Sequence, residues 1–148
     1  YLMVIPYSHV FGFTVGLLKG VWVGALQVLL PRFDPEAMLA AIRDQAPTYV
    51  PGVPTIYTSL LAHPRAEEYG LDRVRLFTSG AAPCPPGLRD AFEQRFGRPL
   101  FEGYGLTEAS PVTHSTPQFG RRKLGTVGVP LPDTDIKVVD VEDGTREL

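Results

Sequence analysis

The sequence predicts an α/β fold: an open, mostly parallel sheet with helices on both faces, followed by the start of an antiparallel β unit. Two observations carry this. Short apolar runs alternate with amphipathic ones from the start of the chain to Phe101, the pattern of strands joined by crossover helices. Beyond residue 122 the period becomes two, in Gly125-Thr126-Val127-Gly128-Val129-Pro130 and Asp135-Ile136-Lys137-Val138-Val139-Asp140, as in half-exposed antiparallel strands. The expected division is therefore an α/β unit over 1–122 and the opening of a β unit over 123–148.

Leu2-Met3-Val4-Ile5 reads as the first strand. Phe11 to Gly24 reads as a helix in which Gly12, Gly16, Gly20 and Gly24 form a stripe that lets a neighbouring element approach closely. Val28-Leu29-Leu30 is a second strand. Asp34 then caps a helix with Pro35 at its first position and Met38, Leu39 and Ile42 on its inner side. Thr48-Tyr49-Val50 follows as a strand, and Pro54 opens a helix that buries Ile56, Leu60 and Leu61 and stops at His63-Pro64, with His63 facing solvent. Val74-Arg75-Leu76-Phe77 is the next strand. Pro85-Pro86 starts a helix with Leu88, Phe92 and Phe96 every four residues, ended by Gly97. Pro99-Leu100-Phe101 is the strand that leads into Glu102-Gly103-Tyr104-Gly105-Leu106-Thr107-Glu108, and a loop is expected from Ser110 to Gly120.

Size and charge limit the function classes. A chain of 148 residues with 44% hydrophobic content can bury a core, and a formal net charge of −2 gives no broad electrostatic footprint for nucleic acid. The basic tract Arg121-Arg122-Lys123 reads as a solvated linker. Val10 to Leu30 approaches the ~20 apolar residues that cross a bilayer, but Lys19 and Gln27 interrupt it. No transmembrane span is expected, and peripheral membrane association stays compatible. The lone Cys84 has no disulfide or zinc partner spacing, and with no secretory leader in view a cytoplasmic location is expected. The chain opens without an initiator methionine and closes on a turn at Val141-Glu142-Asp143-Gly144-Thr145 whose partner strand is missing, so it reads as an incomplete domain.

In an open α/β sheet, ligands bind outside the carboxyl ends of the strands. The loops there begin with Ser8-His9, Arg32, Pro51-Gly52-Val53-Pro54, Ser79-Gly80-Ala81-Ala82-Pro83 and Gly103-Tyr104-Gly105-Leu106-Thr107-Glu108. The Ser79–Pro83 loop offers backbone with little side chain, which suits a flat ring or a phosphate and equally a tight strand-to-helix turn. In the second glycine-rich loop, Tyr104 offers a stacking face, Thr107 a hydroxyl for phosphate, and Glu108 a hard oxygen ligand for Mg²⁺. A dinucleotide fingerprint fails because Glu108 stands where a third glycine belongs, and no G-x-x-x-x-G-K-[ST] occurs. These residues alone support a nucleotide-binding α/β domain.

Four ordered motifs resemble the adenylate-forming superfamily of acyl-CoA synthetases, firefly luciferases and nonribosomal peptide adenylation domains. They are Pro6-Tyr7-Ser8-His9-Val10-Phe11-Gly12, Ser79-Gly80-Ala81-Ala82-Pro83, Tyr104-Gly105-Leu106-Thr107-Glu108, and Gly125 to Pro130 followed by Ile136 to Asp140. The first motif is closest to the fatty acyl-CoA ligases. The resemblance implies a carboxylate attacking the α-phosphate of ATP, then CoA thiolate displacing AMP, with ATP, Mg²⁺ and coenzyme A required.

Carried over by position, Gly80, Ala81, Ala82 and Pro83 would line the adenine and the acyl pocket, beside Glu102, Gly103, Gly105 and Leu106. Tyr104 would stack on adenine, Thr107 would bond the α-phosphate and Glu108 would hold Mg²⁺. His9 would sit near the acid and the α-phosphate. Phe11, Val15, Gly103, Pro111 and Val112 would shape the acyl pocket, and Arg32 would face the CoA nucleotide. The superfamily's Pro-Lys-Gly phosphate loop, ribose-binding aspartate, following arginine and catalytic lysine are not found in these residues. The leading expectation is part of an ATP-dependent carboxylate:CoA ligase for a fatty or aromatic acid, inactive as an isolated piece. The alternatives are a luciferase-type or peptide adenylation domain, or a noncatalytic nucleotide-binding module.

Overall fold

A computed structural model describes residues 1–123 and 125–148. Leu124, at the start of the expected second unit, lies outside the described residues. Strand β1 (Leu2–Met3) pairs in parallel with β2 (Val28–Leu29), and a separate five-stranded sheet runs β3 (Tyr49–Gly52), β4 (Leu76–Ser79), β5 (Leu100–Gly105), β6 (Val112–Ser115), β7 (Val129–Pro130). Within it, β3, β4 and β5 are parallel, whereas β5–β6 and β6–β7 are antiparallel. The expected mostly parallel sheet thus divides in two. The Tyr1 and Tyr49 rings meet edge to face, with centroids 4.8 Å apart, where the two sheets adjoin.

Between β1 and β2 the chain forms a π-helical segment, Gly12–Leu18, continued by the short helix α1 (Lys19–Trp22). Part of the glycine stripe has the packing role its spacing implies: a methyl on Gly16 would collide with the Met3 side chain, and one on Gly20 with Gln27, whereas Gly24 lies past the end of α1 with open space beside it. Helices α2 (Pro35–Gln45), α3 (Pro54–Ala62) and α4 (Leu88–Phe96) follow the other strands. Asp34 caps α2 as expected, accepting from the Ala37 amide at 2.8 Å. Helix α4 starts two residues after Pro86, because Gly87 in a left-handed conformation separates the prolines from the first turn.

Alternation along the strands sorts the sheet into two faces. Val50, Phe77 and Leu100 form a cross-strand row packed with Ile56, Leu60, Phe92 and Phe96 of α3 and α4. Tyr57 joins this core fully and Leu61 packs against it partly buried; the Tyr57 ring meets those of Phe77 and Phe92 edge to face at 6.2 and 5.3 Å. Burying such rings contributes on the order of 2 kcal/mol each. Tyr49 and Thr78 point to the opposite face, toward the π-helical segment, so helices cover both faces.

Several expectations change. Strand β4 begins two residues later than its apolar run, and β5 continues through Glu102 to Gly105. Part of the loop expected after Ser110 is β6, whose backbone is recruited by β5. The segment 135–138 forms no strand; Val139 makes only an isolated bridge with Glu147. His63 is not solvent-facing, since its Nε2 lies 2.9 Å from Glu36 Oε2 and its ring packs on Tyr69. Arg122 is no linker residue: it forms a forked pair with Glu93 at 2.6 and 3.0 Å and lies over the Phe101 ring. No described helix is long and apolar enough to cross a membrane.

Candidate nucleotide and acid site

The carboxyl ends of β4 and β5 and the start of the π-helical segment enclose a cavity of about 400 Å³, within the 300–1,000 Å³ range of small-molecule sites. Its mouth carries His9, Tyr104 and Thr107, and one wall carries Phe11 and Val15. Gly80, Ala81, Gly103, Gly105, Leu106, Pro111 and Val112 complete the sequence-derived residues that line it.

Backbone geometry explains why these residues meet. Gly80 sits so close to β5 that an added methyl would lie 3.2 Å from the Gly103 carbonyl oxygen and 3.6 Å from the Phe11 ring. At Gly105 a methyl would fall 2.6 Å from the carbonyl carbon of Pro111 and 2.8 Å from Val112 Cα, so only glycine lets β6 return this closely. The Leu106 amide donates to Pro111 O at 2.7 Å and closes the hairpin. Tyr104, 43% exposed, is held with its ring edge-on to His114 at 5.9 Å between centroids.

His9 Nδ1 accepts from the Phe11 amide at 3.1 Å. In the neutral ring the proton therefore sits on Nε2, which is free to donate to a ligand oxygen. Ala81 holds a left-handed backbone with φ of 65°, at a cost of about 1–2 kcal/mol. Strain of this kind concentrates at ligand sites.

Five residues singled out from sequence lie outside the cavity lining: Arg32, Ala82, Pro83, Glu102 and Glu108. Ala82, Pro83 and Glu108 are exposed at the ends of the two loops that form the mouth, and Arg32 is exposed after β2. The Glu102 side chain turns toward α4, where Arg89 Nη1 is 3.9 Å from Oε1. Burial raises the Glu102 carboxyl above its ordinary value and the Arg89 charge works against that rise. Cys84 lies in the same loop region, its thiol pushed up chiefly by burial.

The sequence reading missed Lys19, Tyr49, Thr78 and Gln118, which also line the cavity. Lys19 Nζ is 4.4 Å from the centroid of the Tyr49 ring, and burial lowers its pKa. The Tyr49 hydroxyl bonds Thr78 Oγ1 at 2.8 Å, and burial pushes its pKa up to about 12. A single lysine on a glycine-rich apolar helix was the available signal, together with Tyr49 and Thr78 alternating with core residues in their strands.

The family description "AMP-binding enzyme" matches residues 1–147. The long-chain-fatty-acid–CoA ligase of Bacillus subtilis (strain 168) is 41% identical over 143 residues, which are 97% of this chain and 26% of that protein. The 4-coumarate–CoA ligase 2 of Oryza sativa subsp. japonica is 37% identical over 148 residues, again 26% of its length. Among solved structures, ATP-bound MatB from Rhodopseudomonas palustris superposes with a TM-score of 0.89 at 34% identity, over 99% of this chain and 28% of that one. The chain spans about a quarter of the length of the relatives it matches.

Proposed function

The chain belongs to the AMP-binding enzyme family, and from that premise we propose that it forms part of an ATP-dependent carboxylate:CoA ligase acting on a fatty or aromatic acid. One observation carries the reading. A single cavity joins an apolar wall, from Phe11, Val15 and Val112, to a polar mouth with His9, Tyr104 and Thr107, so an acid and a nucleotide can share it.

In this reaction a carboxylate oxygen of the acid forms a bond to the α-phosphorus of ATP as the bond to the bridging oxygen breaks and pyrophosphate leaves. The CoA thiolate then bonds the acyl carbon and AMP departs with the shared oxygen. The first step needs positioning and charge stabilisation more than covalent help from the protein. Tyr104 offers its ring face to adenine, with Gly80, Ala81, Ala82 and Pro83 supplying a low wall and Gly103, Gly105 and Leu106 the opposing backbone. Glu102 accepts from the exocyclic amine of adenine. His9 Nε2–H and the Thr107 hydroxyl donate to the oxygens of the acid and the α-phosphate, while Pro111 backs the acyl group and Arg32 faces the CoA nucleotide.

Mg²⁺ fits this arrangement through Glu108. No cluster of three or more His, Cys, Asp or Glu able to hold a metal exists among the described residues. A lone exposed carboxylate beside Thr107 suits an ion that typically takes one or two protein carboxylates and completes its shell with phosphate oxygens and water. When bound, the ion supplies charge neutralisation at the phosphate oxygens.

The test is pyrophosphate release by the full-length ligase across a panel of carboxylic acids, with and without CoA. Release that depends on the acid, with thioester formed only when CoA is added, is the expected result. Release without thioester would move the reading to a luciferase-type or peptide adenylation domain. ATP binding without release for any acid would leave a noncatalytic nucleotide-binding module.

A further inference from the structure

Among the described residues, two buried side-chain atoms lack a hydrogen-bond partner, Ser79 Oγ and Arg89 Nη1. One of them, Arg89 Nη1, approaches the Glu102 carboxylate, and the other belongs to the strand neighbour of Glu102. Ser79 and Glu102 are register partners on β4 and β5, on the face turned toward α4, and Arg89 in the first turn of α4 directs Nη1 to 3.9 Å from Glu102 Oε1. Arg89 is 8% exposed and Ser79 2%. Unmade hydrogen bonds on buried groups are costly, and 3.9 Å is too long for a direct one, so Arg89 acts on Glu102 through a nearby buried charge.

The backbone of Glu102 is already committed. Its carbonyl accepts from the Thr116 amide at 2.8 Å, and its own amide donates to Thr116 Oγ1 at 3.3 Å. Recognition at this position falls to the carboxylate. An ionised carboxylate only accepts, whereas a protonated one also donates. The 6-amino group of adenine is a donor; the 6-oxo group of hypoxanthine is an acceptor. Which base is favoured therefore depends on what holds Glu102 ionised and in place.

We propose that Arg89 is a positioning residue which, with Ser79, fixes the Glu102 carboxylate as an acceptor-only reader of the nucleobase, so that the ligase selects a base with an exocyclic amine over one with an oxo group. The inference rests on the base-binding reading of Glu102 given above. A site built to bond a substrate N–H rejects the analogue that lacks it far more strongly than an apolar pocket does. The titratable and charged groups facing Glu102 are Arg89 from α4 and the Cys84 thiol from the loop, while Asp90 approaches Arg89 Nε at 3.9 Å from an exposed position. Burial raises Glu102 and Arg89 opposes this, so removing Arg89 leaves a carboxyl that protonates more readily and can then donate to an oxo group.

The experiment is calorimetric binding of ATP and ITP to the full-length ligase and to its Arg89→Met, Arg89→Lys and Glu102→Gln variants, at pH 6 and pH 8, with steady-state kinetics alongside. In Arg89→Met the ATP-over-ITP preference should fall about tenfold, the size expected for losing a charged hydrogen bond. KM for ATP should rise with kcat nearly unchanged, and ATP affinity should improve from pH 6 to pH 8 more than in the wild type. Arg89→Lys should restore part of the preference. A folded Arg89→Met with the wild-type ATP:ITP ratio and pH response would overturn the proposal. If Arg89→Met does not fold, Glu102→Gln, which keeps the shape and removes the charge, decides: a relaxed ratio supports the proposal and an unchanged ratio overturns it. A wild-type ligase that binds no ATP would instead overturn the ligase reading, and this inference with it.

Discussion

The hydroxyl of Tyr57 lies 2.8 Å from the carbonyl oxygen of Thr78, a residue that lines the cavity. The same hydroxyl is 2.9 Å from the Val50 carbonyl, so one phenol on α3 ties together two neighbouring strands from beneath the site. Tyr57→Phe keeps the ring packing and removes this donor. The full-length protein should lose about 1–2 kcal/mol of stability, read as a lower denaturant midpoint, while KM for ATP stays within twofold. A large KM effect at unchanged stability would show that the tie serves the ligand rather than the fold.

Gly105 allows β6 to close on β5, and no flexible side chain is available to give way. Gly105→Ala should therefore push the hairpin apart, at a cost of about 3 kcal/mol, and displace Tyr104. Weaker ATP binding together with a lower thermal midpoint is the expected pair of outcomes. A variant with wild-type values for both would mean that the hairpin does not set the mouth.

Glu108→Ala removes the one carboxylate assigned to Mg²⁺. On the proposed function, ATP–pyrophosphate exchange by the full-length protein should slow by about 100-fold, the scale of losing a group that supports a metal, with little change in thermal stability because the residue is exposed. An unchanged exchange rate would take Glu108 out of the site.

Acid sensitivity should appear at the corner where α3 ends. The Arg95 guanidinium holds Glu67 down to about 2, while Tyr69 and His63 lower Glu36. A carboxyl lowered in the folded state adds stability above its ordinary value, here 4.5, and loses that contribution as pH falls toward the lowered one. The gap in unfolding midpoint between wild type and Glu67→Gln should be present at neutral pH and close as pH drops from about 4.5 toward 2. A gap that persists below that window would assign the difference to packing rather than charge.

Local pattern made much of this fold legible. The four-residue spacing of Leu88, Phe92 and Phe96 states its own burial, as does the Asp34-Pro35 cap, because helix faces and caps are encoded within a few residues. Contiguous motifs carry most of the candidate residues that line the cavity, Gly80 and Ala81 in one and Gly103 to Thr107 in the other, while Ala82, Pro83 and Glu108 fall outside it. What escaped is long-range. Strand β6 consists of Val112-Thr113-His114-Ser115, which becomes a strand only because β5 supplies a partner, and Arg122 finds Glu93 across 29 positions. Tyr49 and Thr78 enter the cavity through the pleat of their strands, and the Ser79–Arg89–Glu102 cluster exists only once β4, β5 and α4 are assembled.

The hairpin clasp at Gly105, Leu106 and Pro111 also acts as a ruler. Tyr104 stands opposite His114 because the connection over 106–111 has one permitted length, and a slip of one residue would turn alternate side chains to the other face of the sheet. The connection between β6 and β7 is held too, at its start by the Thr116 amide on Glu102 O at 2.8 Å and further on by the Arg122–Glu93 pair. Insertions and deletions should accordingly be excluded from the connection over 106–111, which sets where this part of the protein cannot be lengthened, tagged or recombined without losing its candidate site.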